Sequence, residues 1–352
     1  MNNSLDGTVK TYKRNINIDL AKILACCGVV LMHALFISET PYTSWHAPLL
    51  ALSYFSVPFF MMATGYNLFN RSDLSTAYVA HKIASILRLG AIWAGLYAIF
   101  HTVLSIVFNE EYSLINTLVS LPNKFLHALA GEERSDSSVV LWYLGALMLI
   151  YVCAYIIKKY KLNLVIVWLS ALLIGVVFQI LSYVLGKSIQ EYFTLTFRLW
   201  SWVQYSLLGA LMPRIVDVIK EKLPLWLHGI FTAAALAAYL FFWKFISEYV
   251  FYDMYPERFY DSLFLIIFIA LFFSFILRLS LGDKLSCLIE KLCPLTVGVF
   301  LIHIPLILAW TLITNNTVLS RFVITYLAAL LFSFLISFFI SKTKVRRYLL
   351  KI

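Results

Sequence analysis

Apolar windows of about 20 residues recur along the whole chain, each long enough for a helix to cross a hydrocarbon core of roughly 30 Å. Lipid offers no partner to backbone N–H and C=O groups, so segments of this kind must satisfy their own bonds, which a helix does. Ten spans are expected: 17–37, 48–69, 85–108, 139–157, 162–185, 199–215, 225–247, 262–281, 292–313 and 321–341. Composition agrees, since 62% of residues are hydrophobic and 13% charged, leaving too little polar surface for a soluble domain. The expected fold class is an all-α integral membrane protein, a polytopic helical bundle of about ten transmembrane helices with both termini cytoplasmic. A cytoplasmic arm (1–16), a transmembrane domain (17–341) and a basic cytoplasmic tail (342–352) divide it, with no repeat or Pro-rich linker between them.

Orientation follows from charge. With both termini inside, all but seven of the 28 Lys and Arg fall on the inner side, among them Lys10, Lys13, Arg14, Lys158, Lys159, Lys161, Lys342, Arg346 and Arg347. The net charge of +10 is therefore spread over short loops beside the anionic inner leaflet. This makes the lipid bilayer the expected partner rather than nucleic acid. The polar, basic N-terminus leads into a span with no clear small-residue cleavage site, so the first span is expected to stay in the protein.

Cys26, Cys27, Cys153, Cys287 and Cys293 fall in spans or near the inner face and read as small buried hydrophobes rather than disulfide partners. No His/Cys spacing suits a metal, and no nucleotide-binding or nucleophile-elbow pattern stands in a suitable context. The longest outer connection, Asn109 to Ser138, carries Glu110, Glu111, His127, Glu132, Glu133 and Asp136. It suits either an outer docking element or a solvated linker.

The first span holds two ionisable groups, Lys22 and His33. Eleven residues at about 100° each return to within roughly 20° of the starting direction, so both lie on one helical face about 16 Å apart. Such groups in lipid usually have a partner or a task. Lys22 has a packing explanation: it lies near the inner end, where it can snorkel, and Asp19 three residues earlier can pair with it. His33 can hydrogen-bond another helix. His303, close to Pro305 in a segment open to kinking, suits a second site or packing equally. His101 reads as packed or near the outer interface, and Arg198 and Lys244 as reaching outer headgroups.

Four segments in order carry a family resemblance. Asp19-Leu20-Ala21-Lys22, ten further residues and then His33 resembles the opening motif of the acyltransferase family 3 membrane proteins. Ser56-Val57-Pro58-Phe59-Phe60-Met61-Met62-Ala63-Thr64-Gly65-Tyr66 is similar to that family's VPLFFMISGY stretch. Leu141-Trp142-Tyr143-Leu144 with Tyr151 resembles its LWFL segment, and Gly298-Val299-Phe300-Leu301-Ile302-His303 its GIYLIH segment. The stand-alone bacterial O-acetyltransferases of surface polysaccharides are the nearest in kind. Two departures stand out. Lys22 occupies a position where most members have Arg, keeping the charge without the planar fork. The basic pair usual at the start of the third span has only Lys82 and Arg88 as counterparts, with Ser85 between them.

The resemblance implies transfer of an acyl group, usually acetyl, from cytoplasmic acetyl-CoA to a hydroxyl of a cell-envelope glycan or lipid-linked sugar, in a bacterial inner membrane and without a metal. His33 is then the expected catalytic residue, because an imidazole with an unperturbed pKa near 6.5 accepts a proton at neutral pH. It would act as base toward the hydroxyl or as a nucleophile that carries the acyl group. Lys22, Lys82 and Arg88 would attract the phosphates of CoA, although inner-side charges are also what topology alone predicts. Asp19, about 21 Å from His33 along the helix, would support the inner end. Trp142 and Tyr143 suit an outer aromatic belt or a sugar platform, while Pro58, Phe59, Phe60, Gly65 and Tyr66 suit packing. A transporter or flippase, and a catalytically silent glycan-binding relative, are the competing readings. Acceptor, acyl chain and oligomeric state are left open.

Overall fold

The computed structural model describes residues 14–38, 46–71, 74–107, 114–132, 137–252, 256–314 and 321–350, and among these all regular structure is helical. The arm up to residue 13, together with Glu110, Glu111, Glu133 and Asp136 of the outer connection, lies outside the described residues. Every expected span meets a helix. The first is α1 (Ile16–Ser38). The second is split into α2 (Ala47–Ser53) and α3 (Ser56–Phe69). Pro58 has no N–H to offer the Tyr54 carbonyl, and Tyr54 and Phe55 turn back instead onto the Ala51 and Leu52 carbonyls at 3.3 and 3.2 Å.

The third, α4, runs Thr76–Val107 and so begins well before residue 85. Its 32 residues extend about 48 Å, more than a hydrocarbon core needs, because the helix continues past the apolar window through His81 and Lys82. The outer connection contains α5 (Leu114–Ala130), which packs on α4 and on α6 (Leu141–Lys159). Exposed Ile115, Val119 and Leu126 fall within about 40° of one another on α5, a stripe suited to rest on the bilayer surface.

The remaining helices are α7 (Leu164–Leu185), α8 (Leu199–Lys222), α9 (Leu225–Ile246), α10 (Leu263–Leu277), α11 (Asp283–Leu292), α12 (Thr296–Thr314), α13 (Phe322–Ser341) and a final turn, α14 (Arg346–Leu349). Eight segments are long and apolar enough to cross a membrane. The other two expected spans differ for physical reasons. The last turns of α8 carry Arg214, Asp217, Lys220, Glu221 and Lys222, while α10 has only 15 residues, about 22 Å, and packs against α9, α8 and α1.

Two contacts fix the frame around the site. At the crossing of α3 and α8, a Cβ at Gly65 would meet the Ser206 carbonyl oxygen at 1.8 Å, and one at Gly209 would meet that of Met62 at 2.0 Å. Reciprocal glycines thus let the two backbones touch, the contact that small residues permit in membrane bundles. In α12, Pro305 cannot donate to the Leu301 carbonyl, and the Tyr97 hydroxyl from α4 donates to it instead at 2.7 Å. The helix therefore runs through the proline unbroken.

At the outer end, Asp261 is buried and accepts bonds from Trp200 Nε1 (2.9 Å), Ser201 Oγ (2.7 Å) and Gln204 Nε2 (3.1 Å), tying α8 to the start of α10. Arg198 is only 1% exposed, so it does not reach outer headgroups as expected. It packs beside this carboxylate and donates to the Phe193 carbonyl at 3.4 Å. Lys244, by contrast, is exposed and pairs with Glu248 at 3.8 Å. His101 accepts from the Ser137 backbone N–H at 3.4 Å. Cys287 is exposed rather than buried, standing on the polar side of α11.

Candidate active site

α1 carries Lys22 near its inner end and His33 near its outer end, and the Cys293–His303 segment meets this helix at both ends, through Asp19 beside Lys22 and through His33. Asp19, buried next to Lys22, is held from three directions. Arg14 donates to it, Cys293 Sγ donates at 3.2 Å, and Lys22 Nζ stands 3.5 Å away. Arg14 also donates to the Glu290 carbonyl at 3.3 Å, so the inner end of α1 is clamped to α11. Asp19 therefore orders the inner end of the site, far from the imidazoles.

Deeper in the bundle, the rings of His33 and His303 meet with centroids 5.1 Å apart and planes tilted by 47°. His303 is completely buried, and its Nδ1 lies 3.1 Å from the Val299 carbonyl oxygen one turn earlier. A carbonyl only accepts, so a neutral His303 carries its proton on Nδ1 and presents a lone pair at Nε2. That Nε2 has no hydrogen-bond partner among the described residues. A buried basic nitrogen of this kind is costly as architecture alone, and the ring that carries it lies against that of His33.

Toward the inner side the histidines are followed by aromatic rings. Phe300 touches His303 with centroids 6.2 Å apart, and Tyr143 and Phe60 stand 5.4 and 6.2 Å from Phe300. These three rings line the deep part of a cavity of about 540 Å³ that opens toward the inner ends of the helices. Its walls come from α3 (Phe60, Thr64, Asn67, Leu68), α6 (Tyr143, Leu147, Tyr151), the α11–α12 junction (Cys293, Pro294, Thr296) and α12 (Val297, Phe300, Leu301). Lys22, Arg71 and Arg346 give it three cations. The cavity is thus cationic near the inner ends of the helices and aromatic where it nears the histidine pair.

The expected site residues separate into two groups. Lys22, Tyr143 and, through Phe300, His303 and His33 converge on the cavity. Lys82 stands behind its wall, with Nζ 5.7 Å from the ring of Tyr78, over which the Arg71 guanidinium also lies at 4.4 Å. Arg88 points to Tyr348 of the C-terminal segment, 5.9 Å from ring centroid to Cζ. Trp142 is buried against Trp202 at 5.2 Å, and Tyr143 faces the cavity, so neither belongs to a lipid-facing belt. Both sit inside the bundle rather than at its rim, Trp142 against α8 and Tyr143 against Phe60 of α3 and Phe300 of α12. Arg71 and Arg346 carry no motif signal, and in the sequence they look like topological charges. Phe300 lay inside a matched segment without a role.

A cavity with cations near the inner surface, an aromatic throat and a paired imidazole beyond it can hold a long anionic donor and move a proton at its far end. No curated protein and no solved structure matches the chain. A family model described as an acyltransferase domain matches residues 15–342, from the Asp19 clamp through the end of α13, and thus contains all four motif segments and both histidines. The chain belongs to the acyltransferase family 3, and it is a multi-pass membrane acyltransferase.

Proposed function

We propose that the protein takes an acyl group, acetyl in the simplest case, from cytoplasmic acyl-CoA and transfers it to a hydroxyl of a cell-envelope glycan or lipid-linked sugar in a bacterial inner membrane. The observation that carries this reading is the polarity of the cavity: Lys22, Arg71 and Arg346 toward the inner side, the Phe60–Tyr143–Phe300 throat deeper in, and the His33–His303 pair beyond. A polyanionic nucleotide would stay at the cations while the pantetheine arm follows the apolar wall. The distance of about 16 Å from Lys22 to His33 along α1 is comparable with that arm.

The chemistry belongs to the imidazoles. An acceptor hydroxyl loses its proton to an imidazole nitrogen as its oxygen attacks the thioester carbonyl, and the thiolate leaves as free CoA after taking up a proton. His303, fixed by Val299, packs its ring against that of His33 and keeps a second basic nitrogen, Nε2, as a proton acceptor beside it. Membranes containing the protein or its His33→Ala form, matched for expression, are incubated with labelled acetyl-CoA and host envelope glycans. Base-labile acetyl esters should form only with the unaltered protein. Ester formation by the variant at an undiminished rate would refute the assignment of His33.

A further inference from the structure

The basic tail beyond α13 folds back onto the bundle. Turn bonds from Thr343 N to the Ile340 carbonyl (3.0 Å) and from Leu350 N to the Arg346 carbonyl (2.9 Å) reverse the chain. Three side-chain contacts then hold it. Trp93 Nε1 of α4 donates to the Leu349 carbonyl at 3.1 Å. Tyr348 lies between Arg88 and Arg347, whose guanidinium carbons stand 5.9 and 4.6 Å from its ring. Leu350 is buried over Gly298, where a Cβ would come within 2.7 Å of its Cδ2. The glycine that opens the Gly298–His303 segment thus makes room for the end of the chain.

Two residues of this segment, Arg346 and Leu350, line the same cavity as Lys22 and Arg71. The family match ends at residue 342, just before this segment. Among the described residues Lys22 has a carboxylate partner in Asp19, while no carboxylate pairs with Arg71 or Arg346. Two guanidinium forks without acidic partners at the mouth of an apolar cavity suit phosphate, which they can grip bidentately.

We infer that the C-terminal segment Thr343–Leu350 is the inner wall of the donor cavity and that Arg346, with Arg71, binds the phosphates of the acyl donor. The inference rests on the acyl-CoA reading given above. It also assigns Arg88 a task different from phosphate binding: it holds Tyr348 and, through it, the segment that carries Arg346.

The test is calorimetric titration of the full-length protein in phosphatidylcholine nanodiscs with CoA and with pantetheine, which lacks the phosphates. Arg346→Ala should weaken CoA binding about tenfold, the loss expected for one charge-assisted contact, and leave pantetheine binding unchanged. Arg346→Lys should fall between. Lys344→Ala removes an equal charge nearby from a residue outside the cavity wall and should bind CoA as the unaltered protein does. Unchanged pantetheine affinity shows that the Arg346 variant is folded. Equal CoA affinity of the unaltered and Arg346→Ala proteins overturns the inference alone, as it would if Arg346 served an anionic lipid headgroup instead. An unaltered protein that binds CoA no better than pantetheine overturns the acyl-CoA reading, and the role of the tail with it.

Discussion

Replacing Gly65 with alanine should damage stability and donor binding together. The added carbon would stand 1.8 Å from the Ser206 carbonyl oxygen and 2.8 Å from Ser206 Cα, where ordinary contact begins at 3.4 Å. The helices α3 and α8 must therefore part by about 1.6 Å at this point. Neither obstacle is a side chain that can swing away, so the cost belongs at the upper end of overpacking, about 3 kcal/mol. Phe60, Thr64, Asn67 and Leu68 line the cavity from the same helix and would move with it. Gly95→Ala is the matched control, because a Cβ there meets nothing within 4 Å, and it should be neutral or stabilising by about 0.5–1 kcal/mol. The assay is the folded fraction after stepwise heating in detergent, followed by CoA titration of the material that remains folded. A lower midpoint and weaker CoA binding for Gly65→Ala, against none of either for Gly95→Ala, is the expected result. Identical melting of the two variants would refute the argument that backbone contact between α3 and α8 sets the cavity.

His33→Ala and His303→Ala should each lower acyl transfer by about 10²- to 10⁴-fold, and the double variant should be no slower than the worse single one, because the two rings act as a unit. Losses that multiply in single-turnover rates would show that they act separately. Lys22→Ala should raise KM for acyl-CoA more than it lowers kcat, with Lys22→Arg restoring it; an unchanged KM would remove Lys22 from donor binding. Asp261→Ala leaves Trp200 Nε1, Ser201 and Gln204 without their acceptor and should destabilise the protein by about 3–5 kcal/mol, read as a lower thermal midpoint, while KM of the folded fraction stays put. An unchanged midpoint for Asp261→Ala would refute its role as a tie between α8 and α10.

The spans were legible because hydropathy over about 20 residues reports directly on a one-dimensional constraint, the thickness of the lipid core. Their ends were less so. The helix of Thr76–Val107 continues beyond the apolar stretch on its own hydrogen bonds, and a hydropathy window registers only where that stretch begins. The Lys22–His33 face was legible from helical period, since both groups sit on one element. The pairing of His33 with His303 was not, because it depends on how α1 and α12 pack, and nothing in either local sequence encodes the other. For the same reason Arg71 and Arg346 looked like inner-side charges until the fold brought them to one cavity. Arg198 misled in the opposite sense: a cation at the outer end of a span suggests headgroups, and only the three-dimensional position of Asp261 explains its burial.

The substitution of Lys22 for the family's usual Arg gains a physical reading from the rest of the cavity. A single lysine is a compact charge and cannot form the two parallel hydrogen bonds with which an arginine orients phosphate. Lys22 is, moreover, committed in part to Asp19 at 3.5 Å, which shares its charge with Arg14 and Cys293. If phosphate orientation depended on Lys22 alone, the donor would be held loosely and the reach to the histidines would vary. In the proposed arrangement Arg71 and Arg346 supply the forks, one at the end of α3 and the other on the returning tail, and Lys22 contributes field rather than geometry. Orientation of the donor then passes from α1 to the elements that close the cavity from the inner side. It follows that Lys22→Ala should be milder in this chain than Arg346→Ala in the same titration. The reverse order would place orientation back on α1.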